Sequence, residues 1–431
     1  MNHYVDLGDD VKKLVDAVTA ASRTTAKYRR AKPMAKRNLF FLRAIFLLVL
    51  AATIPSVQAQ TLTPLHNFTG APDGAFPEGA LLRDAAGNLY GTTTSGGSGD
   101  GTVFKIDSTG KEVPLFDFTD FVSGGFPATA LIQDQAGNLY GITDTGGPGG
   151  AGVVFKLSPQ GVETLLFSFQ GGLNTRNPRG PTGGILRDKF GNIFGTTLFG
   201  GNGNCQSGCG SVFRLDTLGK LHVLHSFNGG SDGSQPFGPL VHDAGRNLFG
   251  IAKSGGDLSC PEAPQTGCGT VFKRAPDGTF TVLHTFQGGA DGATPQPGLL
   301  LDAAGNLFGT TSSGGMSENG VVFRISSDGT YTVLHSFKGQ DGTAPNGGLV
   351  LDWSGNLFGT TQLGGANQLG TVFKLSPDGQ LKVLHSFQGL EDGAFPLAGL
   401  IRDSEGHLYG TCVRNFLIQQ IQGGSVFEIT P

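Results

Sequence analysis

The feature that most constrains this chain is a motif that returns seven times. The anchor Asn-[Leu/Ile]-[Tyr/Phe]-Gly opens at Asn88, Asn138, Asn192, Asn247, Asn306 and Asn356, and a seventh copy opens with His407. Successive anchors lie 50, 54, 55, 59, 50 and 51 residues apart. A period of this length marks supersecondary units that bury a core only by packing on one another. Each copy reads approximately Gly-Leu-Leu-x-Asp-x-x-Gly-Asn-Leu-Phe-Gly-Thr-Thr, a Gly-Gly loop, Gly-Thr-Val-Phe-Lys-Leu, a turn, then Val-Leu-His-Ser-Phe. In the sixth copy four runs rich in β-branched and aromatic residues fall at 347–352, 356–361, 370–376 and 380–387. The turns Asp352-Trp353-Ser354-Gly355 and Ser376-Pro377-Asp378-Gly379 supply the glycine that a tight hairpin needs. Four antiparallel strands per repeat predict a propeller blade. The expected fold is therefore all-β, a seven-bladed β-propeller of four-stranded antiparallel blades.

The two ends of the repeat array complement each other. Residues 61–68 read as a lone fourth strand, and the last copy stops after its third strand at 424–429. Pairing them would close the ring with the N-terminal strand and remove an exposed sheet edge. Phenylalanine recurs in two columns. One runs through Phe68, Phe118, Phe169, Phe227, Phe286, Phe337 and Phe387, the other through Phe104, Phe155, Phe213, Phe272, Phe323, Phe373 and Phe427. Such rings are expected to pack blade against blade, each aromatic burying about 150–250 Å². The 72 glycines follow no three-residue period, which excludes a collagen-like chain, and the regular phenylalanines argue against disorder.

The pattern Gly-Gly-x(n)-Gly-Thr-Val-Phe stands at 96–104, 146–155, 200–213, 255–272, 314–323 and 364–373. It resembles the GloVer tandem repeat of exported bacterial proteins, over nearly all of 61–431. The resemblance implies an exported repeat protein, sometimes with a C-terminal surface anchor, and implies no particular activity. The seventh copy departs from it, because Arg414 to Gln422 lacks the early Gly-Gly and is unusually apolar. The chain's end at Pro431 supplies no tail of the anchored kind.

Residues 34–59 read as a signal peptide. Lys36, Arg37 and Arg43 form a basic region, Ala44–Ile54 an apolar run of eleven, and Val57-Gln58-Ala59 a small-residue cleavage site. The run is too short for a membrane span, which needs about 20 apolar residues, so no stable membrane insertion is expected. Met34 is the natural start of that peptide, making 1–33 a non-native extension and 60–431 the propeller. Residues 1–60 hold ten Lys/Arg and four acids, which leaves 20 basic and 30 acidic residues, a net of −10, in 61–431. Such a domain repels phosphate backbones, and no nucleic-acid partner is expected.

Export makes the cysteines disulfide candidates. Cys205 and Cys209 share one loop, Cys260 and Cys268 the next, with pairing inside each loop preferred and pairing across loops open. Cys412 replaces a strand threonine and reads as a buried thiol. His66, His225, His284, His335 and His385 occupy one column that holds Phe116 and Phe167 in two copies. A position that accepts Phe reads as packing rather than as a ligand. Asp84, Asp134, Asp188, Asp243, Asp302, Asp352 and Asp403 recur at the first turn and read as turn caps rather than as a calcium ring. The Asp-Gly pairs at Asp73, Asp232, Asp291, Asp341 and Asp392 lack an EF-hand's run of oxygen ligands. No metal and no cofactor is expected.

No zincin motif or phosphate loop is present, and the one Gly-x-Ser-x-Gly, at 229–233, sits in a β-loop without the helix start of a nucleophile elbow. Paired carboxylates from distant blades could still serve a glycosidase, and Glu78, Glu262, Glu318 and Glu391 are the non-repeated acids in suitable loops. Strand order puts the tight turns on one face. It puts the long crossovers and the loops between second and third strands on the other, where binding is expected. Three functions follow in order. The first is a monomeric, extracytoplasmic, non-catalytic binding or scaffold propeller for a polysaccharide, envelope component or protein. The second is a carbohydrate-active enzyme with loop-face carboxylates, and the third a purely structural surface protein.

Overall fold

The computed structural model describes residues 60–119, 121–172, 176–203, 205–389, 391–414 and 423–430. The signal-peptide segment 34–59 and the apolar stretch Phe416-Leu417-Ile418 lie outside them. Seven antiparallel sheets make the blades of the propeller. In blade 1 the strands are Leu82–Arg83, Leu89–Thr93, Thr102–Ile106 and Glu112–Asp117, paired in chain order from the inside out. Blades 4 and 5 carry an interrupted innermost strand, the pieces in blade 4 being Ser234–Pro236 and Val241–His242. The seventh sheet takes its outer strand from the other end of the chain: Thr61–Asn67 pairs antiparallel with Ser425–Thr430. Among the described residues no helix is long and apolar enough to cross a membrane.

The glycine of Leu-Phe-Gly-Thr-Thr exists to seat a phenylalanine. Gly91 lies opposite Phe104 in register, and a Cβ on it would come 2.4 Å from the Phe104 ring tip. The same pairing recurs in every blade, from Gly141 with Phe155 to Gly410 with Phe427. Each seated ring then meets the fourth-strand Phe of the preceding blade edge to face, as in Phe118–Phe155 at 5.4 Å and Phe387–Phe427 at 5.3 Å. Phe68 meets Phe104 at 5.0 Å in the same way, so blades 7 and 1 touch as the others do. Edge-to-face contact suits the ring quadrupole, and both columns are fully or almost fully buried.

A second contact ties blade to blade near the axis. The residue before each repeat proline holds a left-handed φ, between 52° and 65°, at Phe76, Phe126, Gly180, Gln235, Thr294, Ala344 and Phe395. Six of these are not glycine, so the conformation costs energy. Its N–H donates to the preceding blade: Phe126 to the Asp100 carbonyl at 2.8 Å, Ala344 to Asn319 at 3.0 Å, and Phe76 back to Gly423 of the last blade. The proline that follows presses on the glycine of Gly-Thr-Val-Phe, where a Cβ would lie 2.4–2.9 Å from the proline Cδ. The repeat's Pro and Gly are thus two halves of one joint between blades.

Candidate functional site

The outer rim explains the histidine column. His66 lies 3.0 Å from Asp73, His225 3.0 Å from Asp232, His284 3.1 Å from Asp291, His335 2.9 Å from Asp341 and His385 2.8 Å from Asp392. Each aspartate also accepts the backbone N–H just past the fourth-strand Phe, as from Thr69 at 3.1 Å. The ring edges rest on that Phe, with centroids 4.7–5.0 Å apart. The two copies with Phe116 and Phe167 lack the aspartate too, Ser123-Gly124 standing where the first has lost its Asp-Gly. The histidines are therefore clasps on the crossovers, spread around the ring, and two columns read separately in the sequence are one device.

The turn-face aspartates are caps. Asp84 accepts from the N–H groups of Ala86 and Asn88 at 2.9 Å, from Asn88 Nδ2 at 2.7 Å and from Tyr90 Oη at 3.0 Å. Burial works against the charge, but these donors outweigh it and hold the carboxyl below its usual value. Cys205 is bonded to Cys209 and Cys260 to Cys268, each pair inside its own loop. Cys412 is buried and free, and burial pushes its thiol pKa up.

The seven crossovers converge on the axis of the crossover face around a cavity of 490 Å³. Its base is built of small residues because backbones meet there. A Cβ on Gly347 would lie 2.3 Å from Gly399 N, and one on Gly183 would lie 2.6 Å from the Gly238 carbonyl. Just before this base, directly after the repeat proline, the wall carries Glu78, Ala128, Thr182, Phe237, Gln296, Asn346 and Leu397, one from each blade. No two are alike. A second column, after the Thr-Thr of the second strand, reads Thr94, Asp144, Leu198, Lys253, Ser312, Gln362 and Val413, again without a repeat. Asp144 and Lys253 of this column also line the cavity, and Ser312 Oγ accepts from Gln296 Nε2 at 2.9 Å. Burial raises the pKa of Glu78 above the usual value and the charge of Asp144 adds to it; burial raises Asp144 as well.

Of the four acids singled out in the sequence, Glu78 alone lines this mouth. Glu262 accepts the Gly289 N–H and lies beside the Cys260–Cys268 bridge, and Glu318 sits in a loop at φ 58°. Asp144 escaped the sequence reading. Aligning the copies column by column, and asking which interior columns never repeat, would have found both rings.

A family model described as Gloeobacter/Verrucomicrobia repeat matches residues 52–182, 172–357 and 259–431. No curated protein matches the chain. Among solved structures, the extracellular domain of BT4673 from B. thetaiotaomicron is similar at TM-score 0.54 and 14% identity, over 86% of this chain and 41% of that one. A second structure of that domain gives 0.54 and 15%, over 86% and 42%. The chain thus spans under half the length of these neighbours, and at such identity the likeness is one of fold. A gluconolactonase from Xanthomonas campestris matches at TM-score 0.40 and 17% identity, over 88% and 92% of the two chains.

Proposed function

Because the chain belongs to the Gloeobacter/Verrucomicrobia repeat family, we propose that its ring of repeats serves as a rigid frame for one ligand-binding mouth. In this reading residues 34–59 direct export, the disulfides belong to an oxidising compartment, and the protein works outside the cytoplasm without catalysing a reaction. One observation carries the reading. A column that never repeats in seven copies lines one concave spot with all seven of its residues, joined there by Asp144 and Lys253 of a second such column, in a chain whose valine and phenylalanine packing columns do repeat. The cavity lies in the size range of small-ligand sites, about 300–1,000 Å³. Amides at Gln296 and Asn346, a hydroxyl at Thr182, charges at Glu78, Asp144 and Lys253, and the flat face of Phe237 suit a hydroxyl-rich ligand. A sugar at the end of a polysaccharide chain is such a ligand.

The test is co-sedimentation of the protein with insoluble polysaccharides and envelope fragments, with reducing ends read in the supernatant. Pelleting without sugar release, weakened about tenfold by Asn346→Ala, supports the reading. No pelleting with any polysaccharide sinks it. A second reading, a carbohydrate hydrolase or lyase, is favoured by Glu78 and Asp144, two acids with raised pKa in one mouth. It predicts new reducing ends that disappear in Glu78→Gln.

A further inference from the structure

The opposite face holds a second cavity, of 520 Å³, between the turns of blades 3 and 4. Its floor and walls are apolar, from Leu186, Phe194, Leu224 and Leu248, and its rim is cationic. Five Arg/Lys side chains line it, Arg187, Lys189, Arg214, Arg246 and Arg274, against two carboxylates. Both carboxylates are occupied by their own turns. Asp188 accepts from Phe190 N and Asn192 N at 2.9 Å and from Asn192 Nδ2 at 2.8 Å; Asp243 accepts from Asn247 N at 2.9 Å and Nδ2 at 2.6 Å. Among the described residues none of the five cations lies within ion-pair distance of a carboxylate, although the exposed Asp277 is within electrostatic reach of Arg274. The Nε–H groups of Arg187, Arg214 and Arg274 are buried without an acceptor.

Three residues of this cavity break the repeat. Arg246 stands where the other six copies have glycine, and it holds φ 61° there. Arg274 pairs with Leu248 at the register where blade 3 pairs Leu215 with Ile193. Phe190 occupies a turn position that is Ala, Gly, Ser or Glu elsewhere, and its ring is 57% exposed. The Arg246 guanidinium lies 5.1 Å and the Lys189 ammonium 5.3 Å from that ring's centroid. A large apolar ring in water, a strained arginine and a half-buried arginine in a leucine position all weigh against folding. They fall on two neighbouring blades and line one cavity.

We infer that this cavity binds an acidic sugar, its carboxylate or sulfate held by the arginines and its ring laid on Phe190. Guanidinium groups take planar anions through two parallel hydrogen bonds. The aromatic face and apolar wall then select a ring over a bare ion. This is a different site from the central mouth, on the other face, and neither depends on the other.

Calorimetric titration of the whole protein with trigalacturonate, neutral maltotriose and inorganic phosphate tests it. Two variants return the site to the repeat's own residues, Arg246→Gly and Arg274→Leu, and so keep the fold. Trigalacturonate is expected to bind, less tightly at high salt, with affinity falling about 10- to 100-fold in each variant. Asn346→Ala should leave it unchanged. Absence of binding, unchanged affinity in both variants, or phosphate binding as tightly as trigalacturonate would each overturn the proposal.

Discussion

At the scale of the residue, glycine and proline in this chain are packing residues before they are turn residues. Gly359 is in an ordinary strand conformation, yet a Cβ there would lie 2.7 Å from both Leu349 Cδ2 and the Phe373 ring tip. Gly359→Ala is expected to cost about 1–3 kcal/mol, read as a lower urea midpoint, because an overpacked core must shift a side chain off its rotamer. Glu112 shows the opposite economy. Burial, then the charges of Asp73 and Asp117, push its pKa up to about 7 from the usual 4.5. Since the folded pKa is the higher one, the folded state holds the proton longer. The stability that this group contributes is full below pH 4.5 and is lost as the pH rises through 7. Glu112→Gln should flatten that decline, and an unchanged slope in urea melts across the window would refute the assignment.

At the scale of the element, five of the seven crossovers are held by a pair rather than by a residue. His335 and Asp341 are 2.9 Å apart, and the copies that lose the histidine lose the aspartate. Removing one partner costs the other its side-chain contact while it stays half-buried, and exchanging both reproduces what copy one does with Phe116 and Ser123. A double-mutant cycle of His335→Phe and Asp341→Ser should give a coupling of about 1 kcal/mol, the double variant costing less than the two single costs added. Strict additivity would mean that the pair is incidental. The outer strands also depart from simple alternation: a bulge between third and fourth strands recurs, at Val212/Phe213 in blade 3 and Val372/Phe373 in blade 6. One extra residue there turns the strand, so Val-Leu-His-Ser-Phe places its histidine and its phenylalanine by geometry that a period of two does not predict.

At the scale of the molecule, the first and last strands share a sheet. Thr61–Asn67 covers Ser425–Thr430 and brings Phe68 onto Phe104. Deleting the first strand should leave an unpaired edge and an unfilled aromatic contact. The expected outcome is association of the shortened protein, seen as a rise in mass by light scattering at raised concentration. A shortened protein that stays as monodisperse as the parent would show that the edge is protected some other way.

How much of this was legible in the chain follows from what repetition encodes. The sevenfold period, the strands, the two phenylalanine columns and the turn-capping aspartates all answer to short-range rules, and a residue forced by a local rule recurs in every copy. The joint between proline and glycine, the His–Asp clasps and the glycine seats involve partners at least six residues apart, on different strands or blades, and Gly424 meets Pro77 from the other end of the chain. Their columns are visible in the sequence, but their pairing is not, because only folding brings them into contact. Both cavities are decided by how the blades pack on one another, the central mouth by all seven and the second by two neighbours. Glu78 and Asp144 look like scattered loop acids until the crossovers meet at the axis, and Phe190 and Arg246 look like lapses in a repeat until two turns face each other. Circular symmetry converts a column of the repeat into a ring in space, and the copies that break the column then stand at one place on it.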